Sequence, residues 1–286
     1  MKSYFTLESK DSNSTKAIKK INSLDINWQE GKQEWVLKKG KVGDVTITVY
    51  KKGKVLLQGK GIEHILALIG FLKKNIETNV IGVDESGKGD FFGPLVTAAV
   101  LIEDGSILSN LEIKDSKVLT DNKIKELASQ IETHSKVAVS VLMPSNYNKE
   151  YKQIQNLNTL LANEHIKNIE KLLKTSVKKI YVDKFANYSG IKDAFEPTFE
   201  VIEETKAESK YFSVACASIM ARYYFVKSLE ELSEDVKIDL PKGANGVERV
   251  GKKILKKYGL KGLNYVAKTH FKTMDKIMRI IDWYKG

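Results

Sequence analysis

The sequence has 286 residues, of which 42% are hydrophobic and only 4 are proline, so it predicts a folded chain with room for two domains. The net charge is +11, and residues 1–75 carry fifteen lysines against seven acidic residues. This asymmetry indicates an N-terminal module that binds a polyanion such as nucleic acid, joined to a body with another task. The alternative is a lysine-rich composition without specific meaning.

Three features bear on location. The longest apolar run, His64–Leu72, is too short to span a membrane, and residues 1–4 lack the apolar core of a signal peptide. The single cysteine, Cys216, cannot form an internal disulfide, which is typical of a reducing compartment. We therefore predict a soluble, cytoplasmic protein that does not bind membranes.

The N-terminal module shows strand and helix patterns in turn. Residues 3–8 predict a short strand, and a helical stretch follows through Ile21. From Val42 apolar and polar residues alternate, which places Thr46, Thr48 and Tyr50 on one face of a strand. A hairpin turn at 51–54 leads into a second strand, and apolar residues from 62 to 72 have helical spacing. The pattern predicts an antiparallel sheet backed by helices.

The polar face of this sheet has two interpretations. Lysines around it can contact phosphates without reading sequence, and hydroxyl and aromatic side chains can contact sugars or bases. An ordinary solvated sheet face would have a similar pattern. Residues 73–78 are interpreted as the linker to the next domain.

The second domain alternates strands with long helices, which is typical of an α/β fold. Its predicted strands begin with residues 81–84 and continue with 95–102, 137–142, 179–183 and 199–203. Its predicted helices cover 121–133, 158–173, 213–232 and most of the chain after Gly246. His165 falls on the apolar face of the second helix, where a lone histidine is interpreted as a hydrogen-bonded core residue.

Two adjacent acids, Asp84 and Glu85, run into the sequence Ser86-Gly87-Lys88-Gly89. Neighbouring side chains of a regular strand point to opposite faces, so the acids are expected to share one site at a strand end or bulge, where the glycines give backbone freedom. Two carboxylates placed together repel each other unless a cation compensates them. The pattern therefore predicts a divalent metal.

Other chemistries fit the sequence poorly. Residues 82–88 match the phosphate-binding loop pattern G-x-x-x-x-G-K, but Gly89 replaces the required Ser or Thr, and the two acids would repel phosphates. One cysteine and 4 histidines without ligand spacing do not make a zinc site. Carboxylates suit Mg²⁺ or Mn²⁺, and two such ions about 4 Å apart can hydrolyse a phosphodiester.

Several motifs together resemble one family. The stretch Asp84–Pro94 resembles the signature of the type 2 ribonucleases H, and most of all ribonuclease HIII. Further motifs follow in the family's order, at residues 114–117, 181–183, 206–210, 217–222 and 240–244. The resemblance covers essentially the whole chain, because ribonuclease HIII also carries an N-terminal domain similar in fold to the TATA-box-binding protein.

The resemblance implies a fold and an activity. A small α+β domain similar to the TATA-box-binding protein (residues 1–76) would bind substrate, and an α/β ribonuclease H-like mixed sheet flanked by helices (residues 77–286) would be catalytic. The activity would be cleavage of the RNA strand of an RNA/DNA hybrid by a monomer using two Mg²⁺ or Mn²⁺ ions, leaving 5′-phosphate and 3′-hydroxyl ends.

The resemblance also assigns residues. The four metal-binding acids would be Asp84, Glu85, Asp183 and Glu208, with Asp84 shared by both ions. The 2′-hydroxyl and nearby phosphates would be contacted by a second group, Ser86, Gly87, Lys88, Gly89, Ser116, Lys117 and Lys206. The N-terminal sheet, with Thr46, Thr48 and Tyr50, would hold the DNA strand. Asp90 and Asp115 are expected to orient loops.

Two alternatives stay open. One is cleavage at single ribonucleotides embedded in DNA, as in ribonuclease HII, although Glu208 resembles HIII. The other is a protein that binds hybrids without cleaving them, which metal-dependent cleavage of a labelled hybrid would distinguish.

Overall fold

The computed structural model of the protein describes residues 4–8, 12–24, 26–62, 65–66, 69, 77–104 and 119–283. The chain forms two compact units, Met1–Asn75 and Ile76–Gly286. Each unit has its own sheet and its own hydrophobic core, as is usual for separate domains. None of the helices in the described segments is long and apolar enough to cross a membrane.

The first unit contains a five-stranded antiparallel sheet in the order β1-β5-β4-β3-β2. Its elements are β1 (Tyr4–Leu7), α1 (Ser12–Asn22), β2 (Gln29–Glu30), β3 (Val36–Val42), β4 (Val45–Tyr50) and β5 (Val55–Gly59). The predicted hairpin of β4 and β5 is confirmed. The sequence prediction missed β3, because its Lys-Lys-Gly-Lys stretch interrupts the apolar alternation that marks a strand.

The predicted helix at 62–72 is only partly covered by the described residues. Ile62, Ile65 and Leu66 are helical and, with Ile69, are buried against the sheet. The end of this helix, and residues 73–76 of the predicted linker, lie outside the described residues.

The second unit is built on a mixed five-stranded sheet in the order β10-β9-β6-β7-β8. Its strands are β6 (Val80–Ser86), β7 (Leu95–Ile102), β8 (Lys136–Leu142), β9 (Lys179–Asp183) and β10 (Glu200–Glu204). Strands β10, β9 and β6 are parallel, whereas β7 and β8 are antiparallel to their neighbours. The predicted α/β fold with a mixed sheet is confirmed.

Helices cover both faces of this sheet. They are α2 (Asp121–His134), α3 (Pro144–Ile154), α4 (Leu157–Leu172), α5 (Ile191–Phe195), α6 (Phe212–Val236), α7 (Val247–Val266) and α8 (Lys272–Trp283). The predicted cap of α2 is confirmed, since Thr120 Oγ1 accepts a hydrogen bond from the Lys123 backbone at 3.3 Å. The sequence prediction missed the short helix α5 and also α3, whose sequence is mostly polar.

Helices α4 and α6 lie on opposite faces of β6. Ala162 and Ile169 of α4 pack with Val83, whereas Ala217 and Ala221 of α6 pack on the other side. At Gly82, a Cβ atom would overlap the α6 backbone at residues 213–214. Glycine therefore lets the first turn of α6 touch β6, two residues before the acids.

Candidate active site

Asp84 lies near the carboxyl end of β6 and is only 8% exposed. Its carboxylate accepts hydrogen bonds from Ser218 of α6 and, at 2.7 Å, from the backbone N–H of Glu85. β6 pairs with β7 in unbroken register as far as Ser86. Because side chains alternate along a regular strand, Asp84 faces α6 and Glu85 faces α4.

This geometry corrects one expectation from the sequence. The two acids were expected at a strand end or bulge, with glycines turning both to one face. Pairing with β9 does end at Val83, but pairing with β7 continues past both acids. The departure from strand geometry comes later, at Gly87, whose φ is +85°. The two acids therefore approach the end of the strand from opposite sides of the sheet.

Asp183 ends β9, the parallel neighbour of β6. Val182 pairs with Val83, so Asp183 and Asp84 hold equivalent positions on adjacent strands and share the face covered by α6. The Asp183 Oδ1 atom accepts a hydrogen bond from the backbone N–H of Ala207 at 2.9 Å. This bond attaches the chain beyond β10 to the end of β9.

Glu208 lies in the 3₁₀ turn Ala207–Ser209, directly beyond that bond. Lys206, before the turn, has a φ of 56°, which is uncommon for a residue with a side chain. Ser209 donates a hydrogen bond to the Lys206 carbonyl at 2.7 Å, which helps to hold this conformation. Glu208 Oε2 is buried without a hydrogen-bond partner among the described residues.

The electrostatics of Asp84 reflect its surroundings. Burial, the charge of Glu85 and the charge of Asp183 together raise the pKa of the Asp84 carboxyl well above its ordinary value. The hydrogen bonds from Ser218 and from the Glu85 backbone lower it only in part. The ionised form of Asp84 therefore lacks a positive charge that would balance it.

The four acids fit a divalent metal in chemistry, although not as a ready-made cage. Within the described part of the chain, no three His, Cys, Asp or Glu side chains are grouped closely enough to hold a metal ion as they stand. Glu85 accounts for part of this spacing, because it leaves β6 on the far face from Asp84. The unpaired Glu208 oxygen, the unbalanced Asp84 and the all-carboxylate donor set favour Mg²⁺ or Mn²⁺. Small rotations of these side chains would change the distances between their oxygens and leave the set of donors unchanged.

Glu85 has two cationic or hydrogen-bonding neighbours. His165 Nε2 of α4 lies 3.3 Å from Glu85 Oε2, and Lys88 Nζ lies 3.7 Å from Glu85 Oε1. Lys88 also donates a hydrogen bond to the Phe185 carbonyl at 3.0 Å. The ring of Phe185 in turn stacks on His165, with 5.4 Å between ring centroids.

The loop after β6 has one packed glycine and one open glycine. At Gly87 a Cβ atom would overlap the Pro94 carbonyl and lie 2.8 Å from the Phe225 ring, whereas at Gly89 it would meet nothing within 4 Å. Asp90 Oδ1 accepts a hydrogen bond from the Gly243 backbone at 2.6 Å, so Asp90 joins this loop to a second one.

The other residues predicted to bind substrate lie in several places. Ser86 and Lys206 are close to the acids in sequence, whereas Ser116 and Lys117, with Asp115, lie outside the described residues. Thr46, Thr48 and Tyr50 lie in the first unit, on the sheet face opposite its core. Thr48 is only 6% exposed, so it offers little surface to a ligand.

Two neighbours of the acids were not recognised as such from the sequence. Ser218 is one polar residue within a run of small and apolar ones, and nothing in its spacing relates it to Asp84. His165 was interpreted as a core residue, and it is completely buried. Its position on the same helix face as Leu161 and Ile169 gave no sign that Glu85 lies against it.

The chain is similar in sequence to known proteins. The family model described as ribonuclease HII matches residues 81–274. Ribonuclease HIII of Protochlamydia amoebophila is 38% identical over 253 residues, covering 82% of this chain and 84% of the relative. Ribonuclease HIII of Staphylococcus aureus is 34% identical over 278 residues, covering 85% and 88%.

Two solved structures are similar to this chain over nearly its whole length. The crystal structure of Bst-RNase HIII in complex with Mn²⁺ has a TM-score of 0.64 and 29% sequence identity, covering 97% of this chain and 99% of the other. Aquifex aeolicus RNase H3 has a TM-score of 0.58 and 30% identity, covering 94% and 100%.

Proposed function

The chain belongs to the ribonuclease HII family, as a ribonuclease HIII, and from this premise we propose that its metal site is formed by four acids, Asp84, Glu85, Asp183 and Glu208. The enzyme is a metal-dependent ribonuclease H that cleaves the RNA strand of RNA/DNA hybrids endonucleolytically. The observation that carries the residue assignment is the pairing of Val83 with Val182, which sets two of the acids side by side at the carboxyl ends of parallel strands.

The proposed reaction is hydrolysis of one phosphodiester bond. A water oxygen bonds to phosphorus, the bond from phosphorus to the 3′ oxygen breaks, and that oxygen leaves with a proton. The products are a 5′-phosphate and a 3′-hydroxyl. Divalent ions held by the acids would activate the water and stabilise the leaving oxygen. Asp84 would contribute to both ions, since the charges of Glu85 and Asp183 both act on its carboxyl group.

We further propose that the Gly87-Lys88-Gly89 backbone distinguishes RNA from DNA. This distinction requires a contact to the 2′-hydroxyl. The open space at Gly89 supports close approach of a ribose to the backbone. Lys88 is partly exposed at the edge of the site and can reach a phosphate by leaving its contacts with Glu85 and Phe185.

The first unit is proposed to hold the hybrid through the sheet face opposite its core, here called the open face. Residues 1–76 would form the binding domain and residues 77–286 the catalytic domain. Lys39 and Lys41 pair with Thr48 and Thr46 and share their face. No acidic residue occurs on this face among the described strand residues. A surface that carries positive charges and no negative ones suits a phosphate backbone.

Two further parts of the proposal concern the whole protein. We propose that it acts as a monomer, and that it works in the cytoplasm. The second part is supported by the single cysteine of the sequence, Cys216, which has no second cysteine in the chain with which to form a disulfide.

The four-acid site is tested with Asp84→Asn and a labelled RNA/DNA hybrid. The variant should bind the hybrid as the wild type does and lose nearly all cleavage, with Mg²⁺ and with Mn²⁺. Normal cleavage by this variant would show that the acids are misassigned.

Cleavage at single embedded ribonucleotides is the second candidate, because the matching family model is described as ribonuclease HII. A DNA duplex with one ribonucleotide, assayed beside a continuous hybrid, separates the two specificities. We expect the continuous hybrid to be cleaved much faster, and equal rates would favour the HII type.

A further inference from the structure

We propose that His165 is a positioning residue for the reaction, because its buried imidazole fixes the Glu85 carboxylate in the orientation that the metal site needs. This inference rests on the proposed assignment of Glu85 to that site. It gives a reason for a histidine within the packed interface between α4 and the sheet.

The His165 ring is buried against Glu85. His165 has 0% exposure, and its Nε2 atom lies 3.3 Å from Glu85 Oε2. Its Nδ1 atom has no hydrogen-bond partner among the described residues. An ionised carboxylate can only accept hydrogen bonds, so the Nε2–H group donates to Glu85. Within the described residues, this contact is the one hydrogen bond that the ring makes.

Burying this histidine lowers the stability of the fold. A buried polar atom without a partner destabilises the folded state. Apolar residues such as Ile169 and Ala162 surround this face of α4, and a leucine would fill the space without leaving Nδ1 unpaired. The histidine is therefore a poor choice for packing and a suitable one for holding Glu85.

Packing against an aromatic ring holds His165 in place. The His165 ring stacks on Phe185, which follows Asp183 by two residues. Helix α4, the end of β9 and Glu85 thus meet in one packed contact. Lys88, the other neighbour of Glu85, has a side chain that is 32% exposed and is 3.7 Å away. Lys88 can turn towards a phosphate while His165 keeps its place.

The Glu85 side chain starts on a different face of the sheet from the other acids. Glu85 leaves β6 on the α4 face, whereas Asp84 and Asp183 lie on the α6 face. The Glu85 carboxylate must therefore curve round the end of the strand to join them, and only some of its rotamers do so. A donor fixed behind one oxygen selects among these rotamers. Substitution of a residue that supports a metal ligand in this way commonly lowers activity or metal affinity by about 10- to 100-fold.

The test compares His165→Leu with His165→Gln in the full-length protein. The leucine variant should fold, lose about 10- to 100-fold in kcat and keep its KM for the hybrid, as expected for loss of a supporting contact. The glutamine variant carries an amide nitrogen near the place of Nε2 and should recover most of the loss. Wild-type kcat in the leucine variant would overturn the proposal, and so would a folded glutamine variant as impaired as the leucine one.

Asn168→Leu is the matched control. Asn168 is also buried on α4, one turn further on, but its amide donates to Thr97 of β7, at 3.0 Å to the carbonyl and 2.9 Å to Oγ1. We expect this variant to lose stability and keep its kcat at a temperature where it is folded. An equal loss of kcat would mean that general packing of α4 explains the His165 effect.

Mn²⁺ binding by calorimetry, without substrate, gives a readout independent of turnover. His165→Leu should weaken binding in the wild-type background and have no further effect in a Glu85→Gln background, because the two residues act together. Independent, additive losses would overturn the proposal. If Glu85→Gln itself binds and cleaves normally, the proposed metal site fails; if it is impaired while His165→Leu is normal, only the positioning role fails.

Discussion

Asp84 is a residue at which stability and function oppose each other. Its raised pKa means that the folded protein disfavours the carboxylate, so stability falls as pH rises from the ordinary pKa of an aspartate through the raised one. Asp84→Asn removes this charge. Without metal at neutral pH, we expect the variant to be more stable by roughly 0.5–2 kcal/mol, measured by thermal unfolding with a chelator present.

Two controls accompany that measurement. Glu231→Gln, at an exposed position, should leave the unfolding temperature unchanged. Added Mn²⁺ should raise the unfolding temperature of the wild type and have much less effect on Asp84→Asn. A variant less stable than the wild type would show that the charge of Asp84 is balanced in the folded protein.

Gly87 and Gly89 allow a second prediction, because they differ in surroundings. Gly87→Ala places a Cβ against Pro94 at a positive φ and should destabilise the protein by at least about 1 kcal/mol. Gly89→Ala meets nothing and should keep its stability while cleaving the hybrid more slowly, since the ribose can no longer approach the backbone. Urea unfolding and hybrid cleavage measure the two effects, and full activity in Gly89→Ala would contradict the role of this loop.

At this scale, sequence reasoning selected four acids as metal ligands and missed the directions of their side chains. The motif order predicts Asp84, Glu85, Asp183 and Glu208 because each lies in a short recognisable stretch, and their role as ligands stays a prediction. The direction of a side chain depends on where the strand ends, and only the pairing with β7 shows that β6 continues to Ser86. The contact between Glu85 and His165 joins residues 80 positions apart, which no local pattern reports.

At the scale of elements, the apolar strands were predictable, whereas two mostly polar elements, β3 and α3, were missed. The strands β7 and β9 are short apolar runs and were found from composition alone. Helix α3 has little apolar surface and is held by long-range contacts. Its Tyr147 is buried, and Asn148 accepts a hydrogen bond from the Thr269 backbone at 2.9 Å. Such contacts become visible only in the folded chain.

The open face of the first unit's sheet gives the third prediction. The double variant Lys39→Gln and Lys41→Gln should weaken hybrid binding and reduce the dependence of log Kd on log salt concentration by about 1–2, because up to two phosphate contacts are lost. The value of kcat should stay the same. Binding titrations at several salt concentrations measure this, with Lys51→Gln and Lys52→Gln in the hairpin turn as the control. Equal effects of the two pairs would indicate general charge and no specific face.

At the scale of the whole molecule, one buried lysine relates stability to pH. Lys268 has 0% exposure and donates hydrogen bonds to the carbonyls of Gly93, at 2.6 Å, and Pro94, at 3.3 Å. Burial lowers the pKa of Lys268 to about 7, although the charge of Asp90 opposes this. Between pH 7 and the ordinary pKa of lysine, the unfolded chain therefore binds more protons than the folded one.

The fourth prediction follows from that difference. Stability should rise with pH from about 7 towards 10, by at most about 1.4 kcal/mol per pH unit for one proton. Lys268→Met should remove this rise and should destabilise the protein, because two carbonyls lose their donor. Urea unfolding at pH 7, 8 and 9 measures the slope, with exposed Lys125→Met as the control. An unchanged slope in Lys268→Met would assign the pH dependence to other groups.

The opposite directions of Asp84 and Glu85 make their order as important as their charge. The shorter acid occupies the tight place beside Ser218, and the longer one has to reach round the end of the strand. Exchanging the two residues would conserve composition and net charge. It would, however, place the longer side chain in the tight space beside Ser218 and leave the shorter one unable to reach round the end of the strand. Likewise, inserting or deleting one residue between Gly82 and Asp84 would move each acid to the opposite face of the sheet. Asp84 would then face α4, and Glu85 would face α6. The site therefore constrains the register of the strand as well as its residue types.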